Sequence, residues 1–189
     1  MRILVALSVV LAALITFHAT DASARRPPDP RTITLIDQRG APFSLHDLRS
    51  VPVLVTFVAT RCRDACPIAN ALFANLRTRL DRDHAVATLV TVTLDPTYDT
   101  PTVMAREARK FRARVPGWRF ASGSIASVHA LMLALGVAAQ PDPSGVPDVH
   151  STFVYVLDAR GRLARTLLLS TTLVEDATEL LRDPALRRT

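Results

Sequence analysis

Residues 53–67 read Val-Leu-Val-Thr-Phe-Val-Ala-Thr-Arg-Cys-Arg-Asp-Ala-Cys-Pro. The first six residues are apolar or β-branched, which is typical of a central strand buried on both faces. The proline at the end of the stretch suits the first turn of a helix. Cys62 and Cys66 lie between the two and are the only cysteines in the chain. The stretch therefore predicts a strand-to-helix corner that carries a pair of thiols.

Two thiols at such a corner can form a disulfide, exchange electrons with another thiol, or hold a soft metal ion. A purely structural disulfide would stabilise the fold only modestly, because the loop that it closes is short. The C-x-x-x-C spacing and the absence of a tryptophan before Cys62 argue against ordinary thioredoxin-type chemistry, which uses C-x-x-C. The residues alone leave the disulfide, the redox pair and the metal site open.

The N-terminal segment has the features of an export signal. Arg2 precedes an apolar run at 3–17, and Ala22-Ser23-Ala24 forms a small-x-small cleavage site. These features predict a secretory signal peptide at 1–24 and a periplasmic or otherwise exported protein that is soluble after cleavage. The alternative is an uncleaved N-terminal membrane anchor, although the run is shorter than the roughly 20 residues that span a bilayer. The proline-rich, charged stretch 25–30 predicts a flexible leader.

Size and charge limit the class of protein. Removal of the first 24 of the 189 residues leaves 165, which suits one domain with its own hydrophobic core. The formal charge is +6, and many of the arginines follow helical spacing, which favours solvated helix faces. An acidic protein partner or an anionic membrane surface is the alternative interpretation. Aromatic residues make up only 5% of the chain, so we expect no nucleic-acid partner.

The order of the predicted elements indicates the fold. Apolar positions from Ile68 to Leu80 recur at helical spacing after Pro67, and Gly136 ends a later helix. The predicted elements are a hairpin around 38–40, strands at 51–58 and 85–94, helices at 67–80, 101–115 and 125–135, a hairpin of strands 152–157 and 163–169, and a helix at 172–182. A βαβ unit followed by a ββα unit predicts an α/β, thioredoxin-like domain at 31–189, with a central mixed sheet flanked by helices and an N-terminal β-hairpin.

Three motifs in a fixed order give the chain a family resemblance. The first is Cys62-Arg63-Asp64-Ala65-Cys66-Pro67, the second spans 94–101 with Asp95 and Asp99, and the third is Val149-His150-Ser151-Thr152-Phe153, followed by Asp158 and Gly161. Together they resemble the Sco (SenC) family, whose members are thioredoxin-fold copper proteins that assist assembly of the dinuclear copper centre of cytochrome c oxidase. The resemblance covers residues 31–182, and Arg63 stands where the family usually has proline.

The resemblance implies that Cys62, Cys66 and His150 bind copper, as Cu(I), Cu(II) or both, and that the cysteines form a disulfide when oxidised. Two thiolates and one imidazole are a soft donor set that favours copper. The resemblance also implies a metallochaperone rather than an enzyme. Its expected partners are an apo copper-acceptor protein, such as a cytochrome c oxidase subunit, and a thiol reductant.

Alternatives remain for each of these residues. The chain can instead be a thiol-disulfide oxidoreductase, with Cys62 as nucleophile and Cys66 as resolving thiol, which does not need His150. In that case His150 is a hydrogen-bonded histidine at a strand edge. Asp95 and Asp99 can form a turn and start a helix at Thr100-Pro101. The resemblance suggests instead that this acidic pair supports the copper ligands or faces a partner.

Overall fold

The computed structural model describes residues 28–63, 65–141, 143, 145–147, 149–150 and 152–188, with the backbone alone at 149–150. The predicted signal peptide, 1–24, and the first half of the predicted leader, 25–27, lie outside these residues and stay predictions. The described chain begins with a short 3₁₀ helix, Pro30–Thr32, which Asp29 caps. No helix in the described part of the chain is both long enough and apolar enough to cross a membrane.

A seven-stranded mixed sheet forms the centre of the domain. In chain order the strands are β1 (Leu35–Asp37), β2 (Pro42–Phe43), β3 (Val53–Val58), β4 (Thr88–Thr93), β5 (Trp118–Ser122), β6 (Ala139–Gln140), β7 (Val149–His150), β8 (Phe153–Leu157) and β9 (Leu163–Leu168). The spatial order is β2-β1-β5-β4-β3-β8-β9, and β6 pairs with β7 in a separate small sheet. Strand β3 is parallel to β4 and antiparallel to β8. Both predicted hairpins, β1–β2 and β8–β9, are present.

Helices cover both faces of the sheet. They are α1 (Ala65–Arg82), α2 (Pro101–Lys110), α3 (Ile125–Leu135), α4 (Leu173–Leu180) and α5 (Pro184–Arg187). Side chains of α1, α2 and α4, among them Phe73, pack on the face that carries Leu54. Side chains of α3, among them Leu131, pack on the opposite face with Phe57. This alternation of Leu54 and Phe57 between two cores confirms a central mixed sheet that is flanked by helices.

The first turn of α1 differs from the prediction. The helix begins at Ala65 rather than Pro67, so Cys66 lies inside its first turn. Pro67 is tolerated there because the N–H groups of a first turn have no acceptor within the helix. Ile68 shares the helical spacing of the apolar positions but is 59% exposed. Ile68 therefore faces away from the core, whereas Cys66 in the same turn is buried in it.

The segment after α2 also differs from the prediction. The predicted helix 101–115 ends at Lys110, where Ala113 donates its N–H to the carbonyl of Ala108. The strand β5 follows and was not predicted from the sequence. It lies parallel to β4 and joins the N-terminal hairpin to the rest of the sheet. The missed strand completes the thioredoxin-like order without changing the fold class.

Candidate metal centre

The two cysteines lie at the carboxyl end of β3. Cys62 follows that strand by four residues, and Cys66 is the second residue of α1. The structure shows both as thiols. Their side chains are 5% and 3% exposed and belong to the hydrophobic core on the α3 face of the sheet. The strand-to-helix corner that the sequence predicted is present, and we call Cys62, Cys66 and the loop from Ala59 to Cys62 the dithiol corner.

Backbone groups orient the dithiol corner. Ala59 donates its N–H to Cys66 Sγ at 3.3 Å, and its carbonyl accepts the N–H of Cys62 at 3.0 Å. Cys66 also lies at the N-terminal end of an 18-residue helix, where the helix dipole is positive. Both features stabilise a sulfur that carries negative charge, as a metal ligand and a nucleophile do. The corner therefore suits metal binding and thiol exchange alike.

His150 lies in β7, where its backbone pairs with Ala139. Its side chain is outside the described part of the structure. The neighbouring strand β8 runs antiparallel to β3, and Thr56 donates its hydroxyl to the carbonyl of Phe153 at 3.3 Å. Because β8 starts where β3 ends, the segment that carries His150 reaches the edge of the sheet that holds the dithiol corner. Among the described side chains, no group of three or more His, Cys, Asp or Glu could hold a metal ion, so ligation by His150 stays a prediction.

Asp99 is the buried anchor of the loop before Cys62. Its side chain has no exposed surface. It accepts hydrogen bonds from the N–H of Thr60 at 3.0 Å, from the hydroxyl of Thr60, and from the hydroxyl of Thr93 at 2.7 Å. Burial raises the pKa of Asp99, and the hydrogen bonds from Thr60 and Thr93 oppose that rise. Asp99 thus ties the loop to β4 and has no surface with which to contact a partner.

Asp95 contacts the same loop through an ion pair with Arg61. Arg61 donates to its carboxylate at 2.6 Å and stacks over the ring of Tyr98, 4.6 Å from its centroid. The carbonyl of Asp95 accepts the N–H groups of Tyr98 and Asp99, at 3.1 and 2.7 Å. The predicted turn is therefore present. A role of this acidic pair in supporting copper ligands stays a prediction.

The predicted start of α2 is also confirmed. Thr100 caps the helix by accepting the N–H of Val103, and Pro101 is its first residue. The roles of Thr60, Arg61 and Tyr98, however, were not predicted. Thr60 and Arg61 directly precede Cys62, but their acidic partners lie 39 and 34 positions away in the sequence. Only the fold shows that these side chains meet.

The fold and the corner together define a thioredoxin-like protein with a C-x-x-x-C dithiol at the end of its central strand. The family model described as SCO1/SenC matches residues 27–183, and the chain belongs to this family. The match confirms the resemblance that the three motifs carry.

Relatives and solved structures agree with this assignment. The SCO2-like protein of Rickettsia felis is 28% identical over 138 residues, which are 71% of this chain and 67% of the relative. The SCO1 protein homolog of Bacillus subtilis is 24% identical over 134 residues, which are 70% of this chain and 69% of the relative. The structure of Bradyrhizobium japonicum ScoI with copper bound is similar with a TM-score of 0.70 and 25% identity, over 79% of this chain and 96% of that one.

Proposed function

We propose that this chain is an exported copper-binding protein that delivers copper during assembly of the cytochrome c oxidase copper centre. Cys62, Cys66 and His150 would bind the metal. The observation that carries the proposal is the pair of buried thiols at the end of β3, in a fold shared with a ScoI that binds copper. The resemblance of the third motif supports His150 as the third ligand.

The donor set explains how copper would be both held and released. Two thiolates are soft ligands and favour Cu(I), and an imidazole also suits Cu(II). A set of three ligands leaves the metal accessible to a further ligand from an acceptor, which can then replace the chaperone's ligands one at a time. Copper is thus cargo that passes by ligand exchange and needs no change in the chain's covalent structure.

The partners follow from the same chemistry. A disulfide between Cys62 and Cys66 has no thiolate to offer, so a thiol reductant must supply two electrons and two protons before copper can bind. The acceptor is an apo protein such as a cytochrome c oxidase subunit. The signal-like segment 1–24 supports an exported, periplasmic location for residues 31–189, either soluble after cleavage or anchored by that segment.

An anaerobic Cu(I) titration of the reduced chain, in competition with a chelator of known affinity, tests the proposal. We expect one copper per chain, held at least tenfold more weakly by each of Cys62→Ser, Cys66→Ser and His150→Ala. The exposed His129 provides a matched control, and His129→Ala should bind as the unchanged chain does. Binding that is absent, or that His150→Ala leaves unchanged, would contradict the proposed ligand set.

Thiol-disulfide exchange is the second candidate function. The hydrogen bond from Ala59 to Cys66 Sγ and the helix N-terminus favour it, because both stabilise the thiolate of Cys66, the resolving thiol of this reaction. Here the Cys62 thiolate would attack a partner's disulfide, which forms a mixed disulfide and releases one partner thiolate. Cys66 would then attack the Cys62 sulfur, which releases the second partner thiolate and leaves Cys62–Cys66 as a disulfide, so the partner is reduced by two electrons and this chain is oxidised by two. The measurement is the rate at which the reduced chain reduces a model disulfide. If this is the function, His150→Ala should lose copper binding and keep that rate.

A further inference from the structure

Two cavities line up along α2. The upper cavity, of about 330 Å³, lies between α2 and the side chains of Thr60 and Tyr98. The lower cavity, of about 510 Å³, lies between α1 and the end of α2. Lys110 lines both, so the two cavities adjoin at this residue, and we call them together the α2 groove. Thr60, which is two residues before Cys62 in the chain, lines its upper end, and Arg112 lines its lower end.

The lining of the α2 groove carries an excess of positive charge. It contains four basic residues, Arg77, Arg106, Lys110 and Arg112, and two acidic ones, Asp81 and Glu107. Glu107 is bonded to Lys110 at 2.7 Å, and Arg77 at the lower end is paired with Asp81 at 2.7 Å. Within the described chain, Arg106 and Arg112 pair with no carboxylate. One uncompensated guanidinium therefore lines each part of the groove.

Arg112 lies just after the end of α2, at the lower end of the groove. Arg112 has a φ of 57°, the left-handed conformation in which a helix commonly ends on glycine. A long side chain at this position is strained, and glycine would terminate α2 more favourably. The chain nevertheless places an exposed arginine there, facing the groove. The side chain of Arg112 therefore lies exposed beside the lower cavity.

We propose that the α2 groove binds an extended acidic segment of a protein partner and holds one end of that segment beside the dithiol corner. Helix α2 has ten residues and is about 15 Å long, which an extended peptide of about five residues would span. Carboxylates of such a segment can pair with Arg106 and Arg112 in bidentate geometry. The inference rests on the proposed function only in naming the copper acceptor as that partner.

Fluorescence anisotropy of a labelled ten-residue peptide of alternating glutamate and serine, added to the reduced, copper-free chain at low salt, tests the groove. The test variant is Arg106→Glu combined with Arg112→Glu. The matched control is Arg109→Glu combined with Arg114→Glu, which changes the net charge equally on the same segment but outside the groove. Thermal unfolding checks that each variant is folded, and Arg112→Gly removes one charge while relieving the backbone strain.

We expect the peptide to bind saturably to the unchanged chain. The Arg106→Glu, Arg112→Glu variant should weaken this binding at least fivefold, and the Arg109→Glu, Arg114→Glu control should change it less than twofold. Arg112→Gly should also weaken it, without loss of thermal stability. Salt should weaken the binding, since exposed charges are screened. Equal losses in both double variants, or no saturable binding, would overturn the proposal. Vesicles of phosphatidylcholine and phosphatidylglycerol provide a further test. If the chain binds them as tightly as the peptide, and if this binding depends equally on Arg106 and Arg112, the surface is a membrane-binding one and the proposal is overturned.

The outcome is separable from that of the copper titration. The groove variants leave Cys62, Cys66 and His150 unchanged, so their copper affinity should equal that of the unchanged chain. Peptide binding without copper binding would contradict the proposed function and keep the groove. Copper binding without peptide binding would support the proposed function and overturn the proposed role of the groove.

Discussion

Asp99 shows how a single buried residue fixes the dithiol corner. Burying a carboxylate is costly unless hydrogen bonds compensate it, and Asp99 receives three, two of them from Thr60. Thr60 lies two residues before Cys62, so the same bonds that satisfy the carboxylate also hold the loop. The position of the first thiol thus depends on a residue 37 positions later in the chain.

Replacement of Thr60 by valine tests this anchor. Thr60→Val keeps the branched shape and the N–H but removes the hydroxyl donor to Asp99. We expect a loss of about 1–3 kcal/mol in the free energy of unfolding, measured by urea titration, because a buried carboxylate loses a hydrogen bond. Thr78→Val on the exposed face of α1 is the control and should change stability by less than about 0.5 kcal/mol. Equal effects of the two substitutions would contradict the role given to Thr60.

The sequence predicted the cysteines and the two aspartates but not what surrounds them. Cys62, Cys66, Asp95 and Asp99 stand in local motifs that can be recognised in a single sequence. Thr60, the partner of Asp99, cannot be recognised in this way. It is 39 positions away in the sequence and reaches Asp99 only when β3 and β4 pair. Exposure of Ile68 was equally hidden, since helical spacing does not show where a helix leaves the sheet.

Among the elements, the two β-hairpin turns repeat one solution. Both have the sequence Asp-x-Arg-Gly-x, at 37–41 and 158–162. In each, one carboxylate oxygen of the aspartate accepts the N–H groups two and four residues later, and its other oxygen binds an arginine of the turn. In each, the glycine has a positive φ, 81° at Gly40 and 75° at Gly161. The shared pattern made both hairpins predictable from sequence.

The two glycines differ in their surroundings, which gives a matched pair of substitutions. Gly40→Ala meets no atom within 4 Å, so it should cost only the backbone strain of the left-handed conformation, about 1–2 kcal/mol. At Gly161 an added Cβ would also lie 3.0 Å from Cγ and Cδ of Arg31, which is held by Asp29 at 2.6 Å. We expect Gly161→Ala to lower the unfolding free energy more than Gly40→Ala does. A larger loss at Gly40 would contradict this account of the turns.

Long, regular elements were predictable, and short ones were predictable only where a turn motif marks them, as in the β1–β2 hairpin. The buried run of β3 and the helix α3, which ends at Gly136 in the left-handed conformation, are confirmed. The strand β5 has five residues and follows the irregular stretch 111–117, so the alternation of Trp118 and Phe120 is too short to predict a strand. The pair β6 and β7 has two residues in each strand, too few for any periodicity. Pairing with neighbours, rather than local pattern, creates these strands.

At the scale of the whole molecule, a buried ion pair fastens the N-terminal hairpin to the sheet. Asp37 has no exposed side-chain surface and binds Arg119 of β5 at 2.7 Å, as well as Arg39 within its own turn. Burial alone would raise the pKa of Asp37, but hydrogen bonds from Arg39 and from the N–H of Ala41 outweigh it and hold the pKa below 3.8. The ionised carboxylate therefore stabilises the folded chain.

The lowered pKa of Asp37 makes the stability of the folded chain depend on pH. A carboxyl group whose pKa is lower in the folded chain stabilises it above the unfolded value, about 3.8, and that stability is lost as the pH falls through the folded value. Asp37→Asn should lower the unfolding free energy by about 3 kcal/mol at pH 7, because Arg119 stays buried without its partner. This difference in unfolding free energy between the unchanged chain and Asp37→Asn should become smaller below pH 3.8. Glu179→Gln, at an exposed ion pair, is the control. If the loss of stability in Asp37→Asn does not depend on pH, the role given to the ionised Asp37 carboxylate is contradicted.

Copper should stabilise the whole domain. A ligand that binds only the folded chain raises its stability by about 2.7 kcal/mol when its free concentration is 100 times the dissociation constant. For a domain of this size, that corresponds to a rise of roughly 5–10 °C in the thermal midpoint. Scanning calorimetry of the reduced chain with and without chelator-buffered Cu(I) measures the shift. Cys62→Ser combined with Cys66→Ser should abolish it, and an equal shift in that variant would place copper elsewhere.

The most direct test of the central claim is the copper K-edge X-ray absorption spectrum of the chain loaded with one Cu(I). We predict a first shell of two sulfur ligands and one imidazole nitrogen, with the imidazole signal lost in His150→Ala and retained in His129→Ala. A shell without sulfur, or an imidazole signal that survives in His150→Ala, would contradict the assignment of Cys62, Cys66 and His150 as the copper site.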